Sequence, residues 1–440
     1  MKYPNKWVLA PITRYAFGPS ISAMDYQDQG PSARRYLFAL PDGGGTIPPE
    51  LGVVRRLVAR GHQVFVLAEA TMATEVLATG AHYTQWSGDP LGEIQDWKKV
   101  GPKRKAQMTV EHMFTGRAAN QVFDTLAALA AGTPHRVVTS FNALGAMLAA
   151  ESRGMQYNVL VPNIYPMPAP GLPPLAMGLA PASGFWGAKR DSVLNAIGGR
   201  LINSLALAPL NELRAQNDLA SVDSVWDQVH RAERELILTS AAFDFPAELP
   251  TNVRYVGPIL DDPQWATDEP WDIPHGDLPL VLVAFSSTFQ NHVDCMQRIV
   301  DALGELPVRG VLTTGPAVKV EQIRVPGNVE TLSAAPHSQI MQNADLVITH
   351  GGHGTVIKAL AARVPLLILP HGRDQAENAS RVTRRGAGIA ISRKASRAKI
   401  STAVTRILGA ESYRLAAREL GGKVLEDAKN EQLLFAELEA

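Results

Sequence analysis

The sequence predicts an α/β protein made of two units, each a parallel sheet flanked by helices, with a cleft between them. Three observations carry this. Short, almost wholly apolar runs recur in both halves, as strands buried on both faces require. Segments with one apolar helical face separate most of these runs, and that alternation gives parallel sheets. A proline-rich stretch of weak periodicity divides the 440 residues past their middle, leaving two units close to the roughly 100–200 residues of an ordinary domain.

Residues 1–34 read as a poorly specified leader. Lys2 and Lys6 precede Trp7-Val8-Leu9-Ala10, but Pro11 and Arg14 end that run too early for a signal peptide, and Met24 offers an alternative start. The first unit is placed at 35–245. It begins with the strand Tyr36–Leu40, the turn Asp42-Gly43-Gly44-Gly45-Thr46 and a helix opened by Pro48-Pro49 and faced by Leu51, Val54 and Val58. Gln63–Leu67 follows as the next strand, which completes a βαβ unit. The pattern returns at Arg136–Thr139, Ala143–Arg153 and Asn158–Val161.

Residues 162–189 then carry seven prolines between glycines and apolar side chains, including Ile164, Tyr165, Met167, Leu172 and Met177. Such an excursion shapes a pocket or merely connects. The apolar content favours contact with something hydrophobic, and Ile164, Tyr165 and Phe141 are the candidate lining. The linker is placed at 246–279, interrupted by the short strand Val253–Val256. The second unit, 280–440, has strands at Leu280–Phe285, Gly310–Thr313, Val329–Leu332, Leu346–Thr349 and Leu366–Leu369. Its last helix is a candidate to pack back on the first unit.

Composition removes several function classes. With 42 basic and 42 acidic side chains, the chain lacks the basic excess of a nucleic-acid binder. At 46% hydrophobic it is too apolar for a disordered protein. Cys295 is the only cysteine, so an intrachain disulfide and a cysteine zinc cluster are both excluded, and a reducing cytoplasm is the expected setting. No uninterrupted apolar run approaches the roughly 18 residues that a membrane span needs.

The densest chemistry lies at His350-Gly351-Gly352-His353-Gly354-Thr355, where a buried strand turns directly into a helix. Glycines let a backbone approach a ligand, and a helix start offers unpaired N–H groups and a positive dipole end. Together they suit a phosphate or diphosphate, with Thr355 and His350 adding donors. Two rival motifs fail on spacing. The P-loop lysine is absent, and the third glycine of the dinucleotide fingerprint is Ile357 here and Pro48 in the first turn. His350 and His353 have no nearby carboxylate or cysteine to complete a metal site. After the next strand, Asp374 and Gln375 offer adjacent acceptors and donors, suited either to vicinal sugar hydroxyls or to a helix cap.

Thr349 through Ile391 resembles the nucleotide-sugar signature of the family 1, UDP-glycosyltransferase-like glycosyltransferases, among which the actinobacterial macrolide and antibiotic enzymes look nearest. The resemblance runs from about Tyr36 to the C-terminus, with specific motifs in the second half only. It implies the GT-B fold, two Rossmann-like domains facing each other across a cleft. It also implies a diphosphate held by His350, Gly352, Gly354 and Thr355, and sugar hydroxyls held by Asp374 and Gln375. Phosphates would be approached by Ser287-Thr288, and the base would lie along Ala335-Pro336-His337. No cofactor is implied, and the co-substrate would be a UDP- or dTDP-sugar.

The chain also departs from the family. The position of a base-stacking tryptophan is Ala334, and that of a ribose-binding glutamate is Lys358, a lysine for phosphate or for solvent. The usual His–Asp catalytic dyad corresponds to Thr46 and Ser140. Asp42, four positions before Thr46, is then the candidate base, with capping of its own turn as the alternative. Thr46 reads more readily as a helix cap than as a catalyst.

The implied activity is inverting, metal-independent transfer of a hexose to a hydroxyl of a hydrophobic small molecule, phenolic, macrolide or another natural product. A sugar-nucleotide epimerase or hydrolase of the same fold would not need the apolar excursion. A non-catalytic auxiliary binding protein would not need Asp374-Gln375.

Overall fold

A run such as Tyr36-Leu37-Phe38-Ala39-Leu40 has no charged side chain and only the Tyr36 hydroxyl as a polar group, so it is stable only with both faces covered. It forms β1 (Arg35–Leu40), inside a seven-stranded sheet with β2 (Gln63–Ala68), β3 (His82–Gln85), β4 (Arg136–Ser140), β5 (Tyr157–Val161), β6 (Arg234–Ile237) and β7 (Val253–Tyr255). The order is β3-β2-β1-β4-β5-β6-β7, and every pairing is parallel. A second parallel sheet, ordered β10-β9-β8-β11-β12-β13, holds β8 (Leu280–Ala284), β9 (Arg309–Thr313), β10 (Val329–Leu332), β11 (Leu346–Thr349), β12 (Leu366–Ile368) and β13 (Gly388–Ala390). This computed structural model describes residues 33–88, 94, 95, 97, 98, 100–266, 272–285 and 287–440. Residues 1–32 of the expected leader lie outside the described residues.

Two differences from the sequence reading matter for the site. The stretch 246–279 is not all linker, because β7 lies within it and forms the edge of the first sheet. The excursion also ends early: from Gly184 the chain enters a 33-residue helix, Gly184–Gln216. By length and composition this helix is long and apolar enough to cross a membrane, although charged residues interrupt it. Its second half packs on the first domain through Ala206, Leu210 and Arg214, and Arg214 pairs with Glu151 at 2.8 Å.

Contacts at several places fasten the two domains. Consecutive aspartates after β7 divide between them: Asp261 pairs with Arg55 and Arg56 of the helix Ile47–Ala59, and Asp262 pairs with Lys358 of the helix His353–Ala361. Asp244, beyond β6, accepts from Arg381 of the helix Gln375–Arg384 at 2.7 Å, with both side chains buried. The helix Glu431–Leu438 crosses back, placing Leu434, Phe435 and Leu438 in the same core as Tyr36, Phe38 and Leu57. Each such side chain contributes roughly 1.5–3 kcal/mol by leaving water, so this return is part of the first domain's stability.

Candidate functional site

Both sheets point the carboxyl ends of their strands at the cleft, where open α/β sheets bind ligands. From the first sheet comes the turn Asp42–Thr46, from the second Ser287-Thr288, and the two touch. Gly44 has φ +67, and a Cβ there would lie 3.0 Å from Thr288 Cγ2. Only glycine meets both the left-handed backbone and the close approach. At one side of the cleft Trp97 stacks edge-on against Phe289, with centroids 5.5 Å apart. At the other, Gly178 of the excursion donates its N–H to Glu377 Oε1 at 2.7 Å and lies against Ala376. The excursion therefore reaches the helix that follows Asp374.

The donor turn is built on close approach. His350 lays its ring over Gly352, where a Cβ would fall 2.5 Å from Nε2. Gly352 is the residue before the helix His353–Ala361, and Gly354 faces open space, so the first N–H groups of that helix look outward. Phe285 gathers three histidines at 5.6–5.9 Å between centroids: His292, His350 and His371. Burial pushes them down, His292 to about 4, His350 to about 3 and His371 to about 4, and for His350 the two neighbours and Arg373 add to it. All three are neutral near pH 7. His350 can thus offer an N–H dipole to a phosphate but not a cationic charge.

Several expected donor residues have other partners. Gln375 is buried, and its Oε1 accepts from the His371 and Gly372 N–H groups while its amide donates to Gln290. It braces the turn and has no free group for a sugar. Asp374 is half-buried, takes the Asn378 amide at 2.9 Å on Oδ2, and remains at the surface. Arg373 donates to Thr288 Oγ1 at 3.0 Å, which ties the two donor loops together. Lys358 neither touches the cleft nor lies in solvent, because it is held by Asp262 at 2.7 Å. Ala335 is buried, His337 pairs with Thr313 at 2.9 Å, and burial depresses His337 to about 4. Thr355 is part of the first turn of the donor helix.

The expected acceptor lining is not at the surface. Phe141 and Tyr165 belong to the first domain's core, and Ile164 inserts into the second domain's core beside Phe243. Their exposures are only 4%, 2% and 1%, yet Ile164 and Tyr165 line a small cavity together with Met167, Leu172, Leu175 and Arg381.

Around the first turn the structure assembles carboxylates. Asp42 Oδ1 accepts the Gly44 N–H at 2.9 Å and Oδ2 accepts the Thr71 hydroxyl at 2.6 Å. Its own N–H donates to Glu69 Oε2 at 2.6 Å, and Glu69 Oε1 pairs with Arg117 at 2.6 Å. Asp42 therefore caps its turn and still lies half-open at the cleft. Thr46 begins the helix, but its hydroxyl makes no capping bond and is buried without a partner.

One turn further on, Glu50 is fully buried, with the Ser140 hydroxyl as its neighbour. Burial raises it to about 8. The Ser140 hydroxyl opposes that shift and Glu69 adds to it. Sequence reasoning passed over Glu50, since an acid in a first helical turn is ordinary dipole complementation. Glu69, Thr71 and Arg117 gave no signal either, as only the fold brings them to Asp42. Among the described residues no group of three or more His, Cys, Asp or Glu is arranged to hold a metal ion.

With that geometry in hand, likeness to other proteins can be stated. Residues 297–434 match the family described as erythromycin biosynthesis protein CIII-like, C-terminal domain. The chain is 26% identical over 411 residues to the 4'-demethylrebeccamycin synthase of Lentzea aerocolonigenes, covering 88% of this chain and 94% of that one. It superposes on the glycotransferase of kitacinnamycin with a TM-score of 0.73 at 19% identity, over 93% and 100% of the two chains. The spinosyn rhamnosyltransferase SpnG complexed with thymidine diphosphate gives 0.66 at 16% identity, over 91% and 99%.

Proposed function

Since the chain belongs to the family 1, UDP-glycosyltransferase-like glycosyltransferases of GT-B fold, natural-product type, we propose that it moves a hexose from a UDP- or dTDP-sugar to a hydroxyl of a hydrophobic small molecule, with inversion and without a metal. One observation carries the reading. The carboxylate-bearing turn at Asp42 abuts Thr288 through Gly44, and Arg373 ties Thr288 to the loop before Asp374. The complex of SpnG with thymidine diphosphate is one precedent among similar folds for such a donor.

In this reading the diphosphate lies on the N–H groups at Gly352–Thr355, with the Ser287 and Thr288 hydroxyls and the neutral His350 ring as further donors. These groups are already oriented, so they stabilise the charge developing on the leaving group without reorganising. Asp374, the one member of its pair still at the surface, holds a sugar hydroxyl. The acceptor oxygen attacks the anomeric carbon from the opposite face as the bond to the diphosphate breaks, and its proton passes to Asp42. Thr71 and the Gly44 N–H hold that carboxylate in place.

The test is incubation with labelled UDP-glucose and dTDP-glucose alongside phenolic and macrolide acceptors. Transfer of label to an acceptor is expected. Release of free sugar alone would make the protein a hydrolase, and nucleotide binding without turnover would make it an auxiliary partner.

A further inference from the structure

The long helix Gly184–Gln216 carries an apolar surface left exposed among the described residues. Phe185 is 72% exposed, Trp186 79% and Ile197 56%, with Val193 and Leu201 also exposed. Trp186, Val193, Ile197 and Leu201 follow one another at spacings of seven, four and four, which puts them on one face. Lys189, Arg190 and Arg200 are exposed among them, and the Lys189 ammonium lies 5.8 Å and 6.0 Å from the Phe185 and Trp186 ring centroids. The only acid nearby on the helix, Asp191, is turned inward and occupied by Arg190 and the Ala182 N–H.

Packed along this helix is Pro102–Val110, which exposes Lys103, Arg104 and Lys105 and contains no acid. Across 102–110 and 184–208 there are six basic side chains and one acidic, in a chain whose formal net charge is zero. Charge and apolar surface are thus concentrated together, on one face.

We propose that this face seats the protein on an anionic lipid surface, with the helix lying in the plane of the interface. Aromatic side chains with interleaved Lys and Arg are the chemistry that an interfacial helix uses, the rings entering the headgroup boundary and the cations meeting anionic headgroups. The helix does not span the bilayer, because its second half is packed on the first domain and holds the Arg214–Glu151 pair. A second copy is disfavoured as the occupant, since a two-fold contact would set these cations against their own images. A single small acceptor is too short, because the stripe from Trp186 to Leu201 runs about 22 Å. Lipid binding needs no turnover, so its failure would leave the glycosyl-transfer reading intact.

The experiment is flotation of the full chain with two kinds of vesicle, phosphatidylcholine alone and phosphatidylcholine with an equal amount of phosphatidylglycerol. Binding to the mixed vesicles only is expected, weakening as salt is raised. Substituting both Phe185→Ser and Trp186→Ser, or both Lys103→Glu and Lys189→Glu, should lower the bound fraction about tenfold or more with an unchanged melting temperature. Four results overturn the proposal. They are no binding to either vesicle, equal binding to both, binding indifferent to both double variants, and loss of self-association rather than of lipid binding in the Phe185/Trp186 variant.

Discussion

Asp42–Thr46 and His350–Thr355 are both glycine-rich connections from a buried parallel strand to a helix, and they meet across the cleft, yet their surroundings differ in kind. The second is lined by histidines that burial keeps uncharged and by outward N–H groups. The first is lined by carboxylates, one half-open at Asp42 and one sealed at Glu50. In the proposed reaction the second turn, with its uncharged histidines, takes the anion, and the first, with its acids, takes the proton. What distinguishes them is the side chains that neighbouring strands contribute, not the glycines.

The strongest test of that contrast is Asp42→Asn, which keeps the capping bond and removes basicity. Turnover of an aliphatic alcohol acceptor should fall by about 10²–10⁴, and that of a phenol by less. Near-normal turnover of the alcohol, measured as initial rate at saturating donor, would move the base elsewhere. On the opposite side, His350→Ala should cost about 10²–10³ in kcat, the typical loss of one oriented donor to a developing anion. An unchanged melting temperature would separate this from collapse of the turn over Gly352.

Glu50→Gln sharpens the comparison through stability. With a folded value of about 8 against an ordinary 4.5, the unfolded chain ionises first. Between those values the folded state retains a proton that the unfolded state has lost, so stability falls as pH rises. Above about 8 both forms are ionised and the penalty is complete. The amide removes it, and the variant should be more stable on the order of 3 kcal/mol at pH 7. Urea unfolding should show the gain shrinking to nothing near pH 4.5, and equal stability of the two proteins at pH 8 would mean that Glu50 finds a partner in solution.

Smaller is the effect expected of Asp374→Ala, a rise in donor KM of about tenfold with UDP affinity nearly unchanged, since one hydrogen bond to a charged group is at stake. Loss of UDP binding in calorimetry would refute the sugar role. Smallest of all is the pH response of the donor turn. His292, His350 and His371 titrate at about 3–4, so they bring no step to nucleotide-sugar affinity between pH 5.5 and 8.

Much of the fold was readable because parallel strands buried on both faces announce themselves as apolar runs. The ten strands placed from the sequence agree with the structure to within one residue at each end. Where the strand carried charge the signal failed. β6 is Arg-Glu-Leu-Ile, and its Glu235 is buried against His230 at 2.8 Å, a contact invisible in one dimension.

The site divides in the same way. The turns that carry Asp42, His350 and Gly352 were legible because local backbone geometry dictates them. The surroundings of Gln375, Lys358 and Ile164 were not, because Gln290, Asp262 and Phe243 are brought to them only by folding. Glu50 left no trace, since nothing in its neighbours in the chain says that it will be sealed.

The helix Glu431–Leu438 has a further consequence, for the order in which the molecule is made. Its Leu434, Phe435 and Leu438 fill the core beside β1, and Tyr36 donates its hydroxyl proton to the Leu438 carbonyl at 3.2 Å. A ribosome will have released nearly all of the first sheet long before it makes these residues. Through that interval the emerging domain carries an open apolar seam beside Tyr36 and Leu57, with Arg60 and His62 waiting for Glu439. The core around Tyr36 is thus closed by Leu438, made 402 residues later. Until then the nascent chain is exposed to chaperones and proteases at that seam.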